Sequence, residues 1–150
     1  KVQKSDGLMY GLGATLTPAD ALTFRVYYGL NETTEPNKKD VQNLATFIGL
    51  KLDRFSLGAE YNKMWNYKNI SGDDYDGFSI YTNFKLDKKA DLYLRYDDCS
   101  LGERSDFIAG VQWKLGKYVK ISPNFRWSHK DVSRGHSDSY MGYISCYFGI

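Results

Sequence analysis

The sequence lacks a long apolar run, and this excludes a membrane-spanning helix, which needs about 18 or more consecutive apolar residues. Proline is scarce, with 3 residues in 150, and there are only 2 cysteines. Cys99 and Cys146 form no CxxC or other metal-ligand spacing, so no metal site and no cofactor are expected from them. The formal net charge of +2 is too small to indicate a nucleic-acid partner.

Aromatic residues and glycine are abundant instead, with 13 Tyr and 14 Gly, which is typical of a β-rich protein with tight turns. Apolar residues recur at every second position in nine segments, the first at Leu8–Leu16 and the last at Tyr140–Ile150. This period predicts nine antiparallel strands in an all-β, up-and-down arrangement. Pro123 falls inside the eighth segment, where we expect a bulge or kink because proline removes a ladder donor.

The connections between these segments alternate between short turns and long polar loops. The short turns are predicted at residues 17–21, 53–54, 87–90 and 116–117. The long loops are predicted at residues 32–42, 66–76, 98–105 and 129–139. Short turns at one rim and long loops at the other are characteristic of transmembrane β-barrels of the outer membrane.

Alternation permits two orientations of the apolar face. In a soluble β-barrel carrier this face would enclose an apolar ligand, whereas in a membrane barrel it contacts lipid. The membrane barrel is favoured because the large apolar side chains would overfill a small interior. Aromatic residues also lie at both ends of the apolar face, as two lipid interfaces require. The predicted lipid-interface aromatics are Tyr28, Tyr61, Trp65, Trp113, Trp127 and Phe148.

The predicted strand number suggests an incomplete barrel. Bacterial single-chain barrels usually have an even number of strands, and nine are predicted here. The first strand also starts at the long-loop rim, so at least one preceding strand is expected. We therefore predict that residues 1–150 are one domain or the C-terminal portion of a larger barrel, and that the first and last strands do not pair with each other.

The chain resembles the Gram-negative outer-membrane porin superfamily, in its alternation over nearly the whole length and in its last strand. In Tyr140–Ile150, the residues Tyr143, Phe148 and Ile150 approximate the alternating signal that ends outer-membrane proteins, although Ser145 replaces the usual Gly. The resemblance implies passive diffusion of small hydrophilic solutes through the bacterial outer membrane. It also implies contact with outer-membrane lipid and lipopolysaccharide, and commonly a homotrimer.

The polar face of the predicted strands carries more basic than acidic side chains. The predicted pore-lining charged residues are Arg25, Lys51, Glu60, Lys85, Arg95, Asp97, Lys114, Lys120 and Arg126. Excess basic charge along a pore favours anions, unless an acidic wall or an inserted loop neutralises it. Lys51, Lys85 and Lys114 each precede a strand-closing Leu, and they are expected either to form a basic tier near the periplasmic mouth or to snorkel at the rim.

Two polar clusters contain side chains that could form a chemical site. Asp73, Asp74 and Asp76 could hold Ca²⁺, but they lack the closing Glu of an EF-hand, and a solvated loop is favoured. His129 and His136 lie near serine and aspartate in a predicted outer loop, but no nucleophile elbow accompanies them. No catalytic or metal-binding residue is therefore predicted. An outer-membrane enzyme and an autotransporter-type translocator remain the alternatives to a pore, beside the soluble carrier.

Overall fold

The computed structural model describes residues 7–132 and 135–149, which form one antiparallel sheet of nine strands. Each strand pairs with the next one along the chain, from β1 to β9. The strands are β1 (Met9–Ala19), β2 (Leu22–Asn31), β3 (Val41–Lys51), β4 (Phe55–Trp65), β5 (Tyr75–Lys85), β6 (Ala90–Cys99), β7 (Arg104–Lys114), β8 (Val119–Val132) and β9 (Gly135–Phe148). The predicted all-β, up-and-down architecture is confirmed.

Strand length and register follow from the alternating pattern. The strands have 10 to 14 residues, and about 9–11 residues are enough for a tilted strand to cross a bilayer. The register sets polar-face residues opposite one another, as in the row in which Arg25 faces Phe47 and Phe47 faces Glu60. The one helical turn among the described residues is Tyr67–Asn69. None of those residues belongs to a helix with the length and apolar character needed to cross a membrane.

The burial of the two faces is the reverse of that in a water-soluble protein. The buried polar side chains are Ser79, Asp106, Ser122 and Asn124, all on the polar face. Among the described residues, Ala90 is the one apolar residue that is buried. Large apolar side chains of the other face are exposed along the sheet, whereas a soluble carrier would enclose them. This distribution favours a wall with one face in lipid and the other against water.

The sheet is open. β1 pairs only with β2 and β9 only with β8 in the described part of the chain, so these two strands are the edges. The prediction that the first and last strands do not pair with each other is confirmed.

The predicted loop at residues 129–139 is wrong in its extent, because the β8–β9 hairpin continues through most of it. His129 pairs with Asp138 and Asp131 pairs with His136, and β9 begins at Gly135. The polar side chains suggested a loop, but outside the lipid a two-stranded ladder can carry polar residues on both faces. The predicted loop at residues 98–105 is likewise shorter, since β6 ends at Cys99 and β7 begins at Arg104.

Pro123 does not produce the expected bulge. The pairs Gly110–Asn124 and Trp113–Ile121 flank it with the same register, so no extra residue is inserted. Between them the β7–β8 pairing is interrupted. The missing proline N–H accounts for the local gap in the hydrogen-bond ladder. The register of β7 and β8 is the same on both sides of this gap.

The short turn between β5 and β6 lies where the sequence predicts it. Leu86 N donates to Ala90 O at 2.9 Å. The Asp87 carboxylate accepts hydrogen bonds from Lys89 N at 2.6 Å and Ala90 N at 2.7 Å. These backbone donors, Lys89 N first, lower the pKa of Asp87 below its ordinary value. The turn is thus closed by an ionised side chain.

Candidate pore wall

The register brings all nine predicted pore-lining side chains to one face of the sheet, which we call the polar wall. One row of this wall crosses seven strands: Arg25, Phe47, Glu60, Ser79, Asp97, Asp106 and Ser128 face one another in turn. The sequence predicted the face correctly because side-chain alternation is a local property of a strand.

Asp106 is the centre of an ion cluster at the outer end of the polar wall. Its side chain contacts Arg126 Nη2 at 2.7 Å and Arg104 Nη2 at 3.0 Å, and the Ser128 hydroxyl also donates to it. Asp106 is only 8% exposed. Sequence reasoning missed this residue because it lies between the predicted loop at residues 98–105 and the first apolar residue of β7, although its even position belongs to the polar wall.

A second ion pair lies beside this cluster. Arg95 Nε donates to Asp97 Oδ1 at 2.8 Å, and Arg95 Nη2 donates to Ser79 Oγ at 3.4 Å. The guanidinium also lies 5.8 Å from the ring centre of Tyr81, whose hydroxyl donates to Glu60 Oε1 at 3.3 Å. Arg95 and Arg126, predicted as pore-lining positive charges, are therefore each paired with a carboxylate of the same wall.

Arg25, unlike Arg95 and Arg126, lies over an aromatic ring rather than beside a carboxylate. Its guanidinium lies 5.5 Å from the ring centre of Phe47, and Phe47 stacks on Tyr81 with 6.4 Å between ring centres. No carboxylate of the described residues forms an ion pair with Arg25. A cation over an aromatic face keeps its charge, so Arg25 contributes positive potential to the polar wall at β2, next to the edge strand.

The predicted basic tier lies at the short-turn end of the polar wall. Lys114 is opposite Lys120 in the register, and Lys114 Nζ lies 3.5 Å from Asp91 Oδ2. Lys85 Nζ donates to the Asp53 carbonyl oxygen at 2.8 Å, which orients the amine without neutralising it. Asp91, which sequence reasoning did not place on this wall, offsets one of these lysines.

Glycines on the polar wall are covered by tyrosine rings from neighbouring strands. A Cβ on Gly58 would lie 2.5 Å from the Tyr81 ring, and a Cβ on Gly110 would lie 2.5 Å from the Tyr93 ring and from Asn124 Oδ1. Aromatic side chains compensate in this way for the packing that glycine omits in a sheet. Tyr93 is fixed further by contact with Ser122 Oγ at 3.3 Å.

Replacing Gly110 by Ala is expected to destabilise the protein by about 1–3 kcal/mol, because the methyl group displaces two packed side chains. Gly142→Ala is the matched control, since a Cβ there meets nothing within 4 Å. Equilibrium unfolding in lipid vesicles, followed by tryptophan fluorescence, measures the difference. Equal midpoints for the two variants would show that the packing against Gly110 is unimportant.

The loop between β4 and β5 folds against the loop before β3. Asn66 Nδ2 donates to Asp40 O at 2.9 Å, and Asn69 Nδ2 donates to Lys39 O at 2.8 Å. Asp74 Oδ1 accepts from Asn66 N at 3.0 Å, so this carboxylate of the Asp-rich loop holds the loop itself.

A cavity of about 450 Å³ lies beneath this loop, on the polar wall. Tyr67 and Tyr75, Met64 and Leu101 line it together with Arg95 and Asp97. It therefore offers aromatic and apolar surface beside a charged pair.

The predicted interface aromatics lie on the opposite face. Tyr28, Tyr61, Trp113 and Phe148 are exposed, and Trp65 and Trp127 are half-buried. Four aromatic residues form a continuous row across β6 to β9, here called the outer girdle: Tyr96, Phe107, Trp127 and Tyr140.

Ser128 and His129 lie on opposite faces of β8. The Ser128 hydroxyl binds Asp106 on the polar wall, whereas His129 Nδ1 lies 2.6 Å from Asp138 Oδ1 on the other face. The serine and histidine that are adjacent in sequence do not form a nucleophile–base pair.

Two solved structures that align with the chain are a channel and a porin. The chain is similar to the CymD monoaromatic hydrocarbon channel, with a TM-score of 0.66 and 8% identity over 95% of this chain and 51% of that chain. It also aligns with a Rhodopseudomonas blastica porin triple mutant, with a TM-score of 0.44 and 12% identity over 93% of this chain and 55% of that one. No protein-family model and no curated protein sequence matches it.

The fold is therefore that of part of a transmembrane β-barrel, an open up-and-down antiparallel sheet, as the sequence predicts. The chain spans about half the length of the solved channels to which it aligns.

Proposed function

We propose that the chain forms part of the wall of a larger outer-membrane barrel that conducts small hydrophilic solutes by passive diffusion. The observation that carries this proposal is the polar wall, where charged and hydrogen-bonding side chains occupy one whole face of a sheet whose other face is apolar. Buried charges without water or partners are costly, so a water-filled lumen is the environment that suits this wall.

The two open edges support the larger barrel. In a bilayer, unpaired backbone N–H and C=O groups cost several kcal/mol each, so β1 and β9 need partner strands. Further strands of a longer chain, or strands from other copies, would satisfy them. A homotrimer, and contact with outer-membrane lipid and lipopolysaccharide, belong to the same proposal.

The lumen is proposed to prefer anions because of Arg25, Lys51, Lys85 and Lys120, rather than because of all seven predicted basic residues. Lys51, Lys85 and Lys120 form no ion pair among the described residues. Arg95, Arg126 and Lys114 are each offset by a carboxylate. The three lysines without an ion pair in the described part of the chain thus lie toward the short-turn mouth.

Replacing Lys51, Lys85 and Lys120 together by Gln is expected to shift the reversal potential of the full-length channel toward cation preference. At 0.1 M salt the potential of these amines extends about 10 Å, and at 1 M only about 3 Å. The shift, measured in planar bilayers under a salt gradient, should therefore be larger at 0.1 M.

Arg95→Gln is the matched control, because it removes a charge that is already paired and uncovers the Asp97 carboxylate. Its effect on the reversal potential measures how strongly one unpaired charge, the Asp97 carboxylate, acts at that depth in the pore. An unchanged potential in the triple lysine variant at 0.1 M, with open channels, would contradict the proposed anion preference. The absence of channels in the full-length parent would contradict the pore itself.

One observation favours a second class of solute. The cavity beneath the β4–β5 loop has aromatic and apolar lining, and the similar channel is named for monoaromatic hydrocarbons. A small aromatic solute would pack against Tyr67 and Tyr75 there. Faster uptake of such a solute than of a sugar of equal size by vesicles carrying the protein would favour this alternative.

A further inference from the structure

The two histidines of the chain meet at the outer tip of the β8–β9 hairpin, beyond the outer girdle. His129 is opposite Asp138 in the ladder, and Asp131 is opposite His136. All four side chains lie on the face away from the polar wall, and the two imidazole rings are 5.1 Å apart. The cluster is separate from the proposed pore.

We propose that His129, Asp131 and His136 bind a divalent transition-metal ion of the Zn²⁺ class. One ligand atom from each residue lies within 4.8 Å of the others. His129 Nε2 is 3.6 Å from Asp131 Oδ1, and His136 Nδ1 is 2.5 Å from the same oxygen. Bonds of about 2.0–2.2 Å at tetrahedral angles place ligand atoms about 3.3 Å apart.

For the two histidine–aspartate distances the required adjustment is small, and it falls on an exposed side chain. His136 must move away from Asp131 by less than about 1 Å to reach that spacing. Its side chain is 71% exposed, so rotation meets little packing. His129 already stands at nearly the required distance from the shared Asp131 oxygen.

Asp138 orients the first histidine. Its Oδ1 lies 2.6 Å from His129 Nδ1, so this ring nitrogen carries the proton that the carboxylate accepts. In the neutral ring, the form that binds a metal, the lone pair is then on the other nitrogen, Nε2, which faces Asp131. A carboxylate behind a ligating histidine is the usual outer partner in metal sites, and it typically supports affinity by about tenfold or more.

The ligand set selects the class of metal. Imidazole with carboxylate suits Zn²⁺, Cu²⁺ and Ni²⁺, whereas Mg²⁺ and Ca²⁺ prefer oxygen ligands alone. Three protein ligands leave a coordination position for water or for an external group. The ion would join β8 to the edge strand β9 at the hairpin tip. No metal site was predicted because the positions match no sequence motif; the hairpin register brings them together.

The test is Zn²⁺ titration of the complete chain, purified without a histidine tag and held in detergent micelles, by isothermal calorimetry. We expect one equivalent of Zn²⁺ to bind, with affinity reduced at least about tenfold in His129→Ala and in His136→Ala. Asp138→Asn should weaken binding by about tenfold while leaving one equivalent. Asp74→Ala, in the other acidic loop, is the control and should bind as the parent does.

A second readout identifies the ligands directly. The electron paramagnetic resonance spectrum of bound Cu²⁺ should show hyperfine coupling to imidazole nitrogen. His129 and His136 are the two histidines of the chain, so this coupling would identify them as the ligands. Unchanged Zn²⁺ affinity in the double variant H129A/H136A, which keeps both cysteines, would overturn the proposal. So would equal displacement of Zn²⁺ by Mg²⁺, or binding that does not saturate.

Discussion

Replacing Ile80 by Arg is expected to destabilise the folded protein in a lipid bilayer by about 2–4 kcal/mol. Ile80 is the middle residue of β5, it lies on the apolar face between Ala59 and Tyr96, and it is 47% exposed in the isolated sheet. At that depth a guanidinium must be desolvated or must reach an interface. The measurement is the free energy of unfolding in lipid vesicles by denaturant titration.

Asn83→Arg is the matched control in the same strand. Asn83 lies on the polar wall and is exposed, so an added guanidinium there meets water in the proposed lumen. We expect a change within about 0.5 kcal/mol, as for other solvated surface positions. If both variants were equally stable, the apolar face would not contact lipid, and the membrane interpretation would fail.

The fold could be predicted because its main determinants are local. Alternation assigns every side chain of a strand to a face, and the contrast between Ile80 and Asn83 is visible without knowing any partner strand. The same argument placed Arg25 and Glu60 on one wall. The open sheet followed from counting strands and following their direction.

The ion pairs could not be predicted, because they depend on register between strands. A shift of two residues would leave each face unchanged but would separate Asp106 from Arg126. Asp91 and Asp106 also lie next to a predicted turn and a predicted loop. A polar residue at the end of a strand cannot be distinguished there from a residue of the connection. The histidine–aspartate cluster was missed for the same reason, since a ladder of polar residues beyond the lipid looks like a loop.

These pairings change the electrostatic argument. Taken as free charges, Arg95 and Arg126 would be the obvious residues to remove in a selectivity test. Each is paired, so its removal also leaves a carboxylate uncovered in the wall. A selectivity change in such a variant would report the exposed Asp97 or Asp106 as much as the lost arginine.

Replacing Asp106 by Asn is the second change with a large expected effect. The carboxylate separates the guanidinium groups of Arg104 and Arg126, which are 45% and 33% exposed at the side chain. Without its charge, two cations face each other and their charge-assisted hydrogen bonds weaken. Because both arginines are partly solvated, we expect a loss of about 1–3 kcal/mol rather than the larger cost of a fully buried pair.

Asp97→Asn is the matched control, since Asp97 faces Asp106 in the ladder but, among the residues that the structure describes, forms an ion pair with Arg95 alone. Its unfolding free energy should fall by less than about 1 kcal/mol, as for a solvated pair. In the full-length channel, Asp106→Asn should also increase anion preference at low salt, because two positive charges lose their counter-charge. If Asp106→Asn were no more destabilising than Asp97→Asn, the two-arginine cluster would not be a stabilising centre of this wall. If the reversal potential were also unchanged, the cluster would lie outside the path that ions take.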